Sequence, residues 1–98
     1  MALNHKLTRV LKDRIVQTVQ VNASEVSIEF FDGSTTKIKI MESNSPPLRE
    51  RARIQTISED QTKLLIECED ISTLDVTLAD PGNSVSVRNK NKQVEYLR

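Results

Sequence analysis

From about residue 24 to the C-terminus, apolar side chains alternate with polar ones in one segment after another. Val26, Ile28 and Phe30 alternate with Glu25, Ser27 and Glu29, and Leu74, Val76 and Leu78 alternate with Thr73, Asp75 and Thr77. A period of two puts the apolar groups of each segment on one side of an extended chain, which predicts antiparallel strands with one buried and one wet face. A chain of 98 residues has room for one core, so residues 1–98 read as a single domain.

Only the N-terminus has helical spacing. Leu3, Leu7, Val10 and Leu11 fall on one side of a helix running from about residue 4 to 14, with Asn4 as its cap. Ile15–Val21 is rich in β-branched residues, which stops the helix near Asp13 or Arg14 and starts the first strand. So short a helix is marginal alone, and its apolar stripe must dock on the sheet or on another chain.

Turn chemistry divides the rest. Asp32 and Gly33 predict a tight hairpin turn between Glu25–Phe31 and Thr35–Met41. Pro46 and Pro47 mark a loop between two groups of strands. Arg51–Ser58 and Thr62–Glu69 then form a second hairpin, followed by strands over Ser72–Leu78, around Val85 and Val87, and around Val94 and Tyr96. These segments share a period and no motif, so they read as strands without an internal repeat. The expected fold is mainly β (α+β), a short amphipathic helix followed by about seven antiparallel strands. Because seven strands with one apolar face each cannot stay flat in water, they form a curved sheet, a barrel or a compact sandwich.

The inventory for catalysis is thin. His5 is the one histidine and reads as a solvated residue of the helix; Cys68 shares the inward face of Leu64 and Ile66 and reads as a small hydrophobe. The two glycines make no phosphate loop, and no zinc or EF-hand spacing occurs. The expectation is therefore a protein that is not an enzyme and uses no cofactor or metal. Neither a membrane span nor a signal peptide is read, and the expected location is the cytoplasm.

Charge balances overall, fourteen basic residues against fourteen acidic, so any electrostatic function has to be local. Residues 59–80 carry a net charge of −6, which reads as a solvated strand face; its alternatives are a docking surface for a basic partner or a weak hard-cation site at Glu67, Glu69 and Asp70. Residues 1–14 and 83–98 carry +3 each. Arg49, Arg51 and Arg53 alternate with Glu50 and Ala52, and on a strand they would point the same way, toward phosphates or toward the acidic strand that follows. Pairing with that strand is the favoured reading.

Two functional readings follow. The first is a small protein-interaction or assembly module, working through a sheet edge, the Ser45–Leu48 loop or self-association by the helix, with no catalytic group. The second is a nucleic-acid binder dominated by phosphate contacts, using Arg9, Lys12, Arg49, Arg51, Arg53, Lys90 and Lys92. The chain has only Phe30, Phe31 and Tyr96 as aromatics, which argues against base stacking and ranks this reading second.

Overall fold

The computed structural model describes residues 1–98 throughout. Its elements are β1 (Ala2–Leu3), α1 (His5–Leu11), β2 (Val16–Val21), β3 (Glu25–Phe30), β4 (Thr35–Ser43), β5 (Ile54–Glu59), β6 (Lys63–Cys68), β7 (Thr73–Leu78), β8 (Val85–Arg88) and β9 (Val94–Leu97). Seven strands, in the order β1-β5-β6-β7-β4-β3-β2, make one curled antiparallel sheet that forms a half-barrel, and β8 branches from β4 to carry β9. No helix is long and apolar enough to cross a membrane.

The sheet is a duplication. In β2–β3, Val16, Thr18, Val19, Gln20 and Val21 pair with Phe30, Glu29, Ile28, Ser27 and Val26. In β5–β6, the residues 38 positions further on, Ile54, Thr56, Ile57, Ser58 and Glu59, pair with Cys68, Glu67, Ile66, Leu65 and Leu64, with the bulge in the same place. The β3–β4 and β6–β7 ladders match in the same way. Even the turns agree: Asn22 Oδ1 accepts from the N–H groups of Ser24 and Glu25, and Asp60 Oδ1 from those of Thr62 and Lys63.

An approximate two-fold axis relates the halves. Ile15 bridges Arg53, and Ile40 pairs with Leu78, each residue meeting its own counterpart. Around the first bridge, Val16 N–H donates to Ala52 O at 2.8 Å and Ile54 N–H donates to Arg14 O at 2.9 Å, two bonds that the axis exchanges. They tie the two ends of the half-barrel together at one rim. The absence of a repeat read from sequence is therefore corrected. The halves share Gln and Thr at 17–18 and 55–56 and Ile, Glu, Asp, Ser and Thr across Ile28–Thr35 and Ile66–Thr73; elsewhere the inward positions Val16, Val19, Val26, Ile38 and Ile40 keep only the apolar character that every strand here shows, and the outward ones differ.

Both hairpins turn through three residues, not two. Phe30 N–H donates to Ser34 O, and Cys68 N–H to Ser72 O, with Gly33 (φ 88°) and Ile71 (φ 65°) as the left-handed third residues. The β8–β9 hairpin repeats this geometry with Lys92 at φ 65°. β7 and β8 follow one another along one edge of β4: Ala79 N–H donates to Lys39 O, Lys39 N–H donates to Ser84 O, and the residues between loop out. This continuity lays β8 against the first half of β4, Thr35–Ile38, with β3 on the other side.

The inward faces, with Leu7 and Leu11 of α1 and Leu48 of the proline loop, make one cluster of 21 buried residues. Each aliphatic side chain so buried contributes about 1.5–3 kcal/mol relative to exposure. Asn4 caps α1 by accepting from Leu7 N–H, as expected. The helix is shorter than expected, because Asp13 turns left-handed (φ 71°) to give its N–H to Ile54 O. Leu3 leaves the helical stripe: it lies in β1, paired with Ser58 and 41% exposed. Its neighbours extend along β5, so edge pairing wins over one more helical turn.

Candidate functional site

The two halves agree in backbone and differ in what they show to solvent. On the outer face of β4 stand Thr35, Lys37 and Lys39; their counterparts on β7 are Thr73, Asp75 and Thr77. β8 adds Ser86 opposite Lys37 and Arg88 opposite Thr35. The β8–β9 turn then brings Lys90 and Lys92 to the same place.

Together Gly33, Thr35, Lys37, Ser86, Arg88, Asn89, Lys90 and Lys92 line a recess of about 390 Å³. It holds four cations and no carboxylate. Arg14 pairs with Glu95 and Asp32, Arg53 with Glu69 and Arg98 with Glu59; Lys37, Arg88, Lys90 and Lys92 make no ion pair within the chain, and what sets them apart from the other unpaired cations is that all four line one recess. A neighbouring hollow continues the strip past Lys39 to Arg98, with Glu25 on its flank.

Local chemistry holds the recess in shape. Arg88 Nη1 donates to Lys92 O at 3.1 Å, and Asn89 Oδ1 accepts from the N–H groups of Asn91 and Gln93, which fixes the turn carrying both lysines. The β3–β4 turn abuts it closely: a Cβ on Gly33 would come within 2.8 Å of the Lys90 Cβ. Only glycine supplies both that closeness and the left-handed φ without strain. Thr35, Ser86 and Asn89 add neutral donors among the cations, so the recess can receive phosphate or carboxylate oxygens by charge and by hydrogen bonding.

Lys90 and Lys92 thus come together here, and the other residues named from sequence do not join them. Arg9 and Lys12 lie on the exposed side of α1 and line none of this recess. Arg49, Arg51 and Arg53 do not form a stripe, because the strand starts only at Ile54 and Arg51 is left-handed at φ 68°. They turn to separate partners: Arg51 stands over the Phe31 ring at 6.0 Å and Arg53 meets Glu69 at 3.5 Å. Arg49 acts on Asp70, whose carboxyl is held below its ordinary range first by the Ser72 hydroxyl and N–H and then by the Arg49 charge. Sequence reading missed Lys37 and Arg88. Lys37 and Lys39 alternate with Ile38 and Ile40 and so face outward, but nothing local shows that β8 lies beside β4.

The cation reading of Glu67, Glu69 and Asp70 is not supported, since no three His, Cys, Asp or Glu residues gather in a way that could hold a metal ion. Asp70 is instead engaged by Ser72, as Asp32 is by Ser34. Cys68 is buried, and burial pushes its thiol up to about 11.

No protein-family model matches the chain, and comparison with curated proteins and with solved structures gives no match either. The function has to be argued from the surface itself.

Proposed function

We propose that the protein is a small, non-enzymatic binding module of the cytoplasm whose β4–β8 face takes a phosphate-rich polyanion, the sugar-phosphate backbone of a nucleic acid. The observation that carries this reading is the recess of four cations with no counter-charge. Like charges gathered without a partner repel one another and persist at little cost only because water screens them. A bound chain of phosphates would remove that repulsion and release its own counterions.

Several features of the chain support the non-catalytic part. Cys68 is a thiol at neutral pH, and the only histidine, His5, is exposed on α1 with no acid or nucleophile hydrogen-bonded to it. A single free, buried cysteine suits a reducing compartment. Recognition would be of backbone and not of bases, because the recess is lined by no aromatic ring.

The test is fluorescence anisotropy of a labelled oligothymidylate as protein is added at low and rising salt. Four phosphate contacts give a log K that falls with log salt with a slope of about −3. Replacing Lys37 and Lys90 by Glu should abolish binding. Binding that is indifferent to salt, or equal in that variant, would sink the proposal.

A further inference from the structure

The duplication exposes a missing piece. In the second half, the outer edge of β5 is covered: Ala2 and Leu3 of β1 pair with Glu59 and Ser58, and Asn4 N–H donates to Ile57 O at 2.8 Å. Thr8 of α1 completes the cover, its hydroxyl donating to Ile57 O at 3.1 Å and accepting from Ile57 N–H at 3.0 Å. The counterpart of Ile57 is Val19 of β2. Beyond Val16, no strand lies against the outer edge of β2.

The sequence explains why. The residues that correspond to α1 in the first half are Ser43–Arg49, where Pro46 stands in the place of Thr8 and Pro47 in the place of Arg9. Prolines in these positions lack the N–H groups a helix needs, and Pro46 has no hydroxyl to satisfy a strand edge. What remains is Leu48, which reaches the core in the place of Val10. Asn22 N–H donates to Glu25 O, and because antiparallel pairs alternate, the N–H and C=O of Val19 and Val21 face away from β3.

We infer that a second copy of this chain covers this edge, β2 of each protomer pairing antiparallel with β2 of the other about a two-fold axis. Three features of the edge select that occupant. First, Ile15–Ser24 contains no charged residue and no proline in a chain that is 29% charged. Edges that stay single are usually blocked by lysine, proline or a bulge. The one bulge of β2 lies between Val16 and Thr18, at the end already held by the other half, and leaves Thr18–Val21 regular, where two identical neutral edges meet without like-charge repulsion. Second, Val19 is half-buried and Val21 is 37% exposed, so a partner's valines would extend an apolar face that one chain leaves thinly covered. Third, the halves of one chain already meet in this sense at Ile15 and Arg53, antiparallel across an approximate two-fold axis.

This assembly is independent of the basic recess, whose residues lie on β4, β8 and the turns, and either proposal can fail alone. Sedimentation equilibrium of the full chain tests it, together with amide hydrogen exchange. The expected mass is twice 11.1 kDa at tens of micromolar protein, with the Val19 amide strongly protected. Val21→Lys puts a charged side chain on each pairing edge, the usual block to strand addition, and should weaken the dimer at least tenfold while leaving the thermal transition of the monomer in place. Thr73→Lys, on β7 away from this edge, should leave the mass doubled. A single-chain mass at all accessible concentrations overturns the inference. So does a dimer that survives Val21→Lys with a freely exchanging Val19 amide, since it would be held by another surface.

Discussion

Arg14 grips Glu95 with two parallel hydrogen bonds, Nη1 to Oε1 at 3.0 Å and Nη2 to Oε2 at 2.9 Å, while its Nε donates to Val10 O at 3.0 Å. One side chain thereby fastens the end of α1 to β9, and it also approaches Asp32 at the β3–β4 turn at 3.8 Å. The forked geometry and the low exposure of Arg14, 16% against 31% for Glu95, set this pair apart from ordinary surface ion pairs. Arg14→Ala should lower stability by about 2 kcal/mol in urea unfolding. Arg14→Lys should recover little of it, because an ammonium cannot span both oxygens and the Val10 carbonyl.

Gly33 and Ile71 occupy equivalent turns and should respond oppositely. Ile71 is left-handed, β-branched and 90% exposed, so its side chain strains the backbone without packing in return. Ile71→Gly is expected to stabilise by about 0.5–1 kcal/mol, part of the relief being offset by the flexibility of glycine in the unfolded chain. Gly33→Ala should destabilise by about 1 kcal/mol or more, from the left-handed φ and from the contact with Lys90. Thermal melts of both variants check the pair.

Thr36 has a buried hydroxyl with no hydrogen-bond partner. Its counterpart in the second half is Leu74, also buried. Thr36→Val removes the orphaned oxygen at nearly constant shape and should raise the unfolding free energy by about 1 kcal/mol. A loss of that size would mean that the hydroxyl has a partner in solution.

Acid should destabilise the fold. Burial by itself would raise the Asp32 carboxyl, but the Ser34 hydroxyl and N–H, with the charge of Arg14, hold it below its ordinary 3.8. Asp70 is lowered by the Ser72 hydroxyl and N–H, and Asp60 by the N–H groups of Thr62 and Lys63. A carboxyl depressed in the folded state contributes its stability in full above the unfolded pKa and loses it as pH falls through the folded one. Urea midpoints should stay level through neutral pH and drop below about pH 4. Asp32→Asn with Asp70→Asn should flatten that drop.

Much of this fold is legible in the sequence, and the reasons for the rest are local. β2 is legible from its β-branched residues, and period-two alternation marks β3 to β9 within a few residues, because one-sided burial forces that pattern. It missed β1, since two residues carry no period and Leu3 is held by its pairing with Ser58. It puts Arg51 and Arg53 at the start of a strand, because alternation cannot reveal the left-handed Arg51, whose N–H is taken by Val16 O from a distant segment. The duplication is hard to read in the sequence because Ile71 stands where the first half has Gly33 and Glu69 where it has Phe31, although Asp32-x-Ser34 and Asp70-x-Ser72 make the same turn. In the candidate site, Lys90 and Lys92 were visible as a basic turn. Lys37 and Arg88 join them only through the run of β7 into β8 along β4, which is a property of the topology.

The most direct test of the binding account uses the duplication as its own control. Amide NMR spectra of the labelled protein would be recorded as a short oligothymidylate is added at low salt, and again as salt is raised. Shifts at Lys37, Ser86, Arg88, Lys90 and Lys92 that reverse with salt, while Asp75, the counterpart of Lys37, stays fixed, are the predicted result. A spectrum that does not move, or one that moves on α1 or on the β6–β7 face instead, would contradict it.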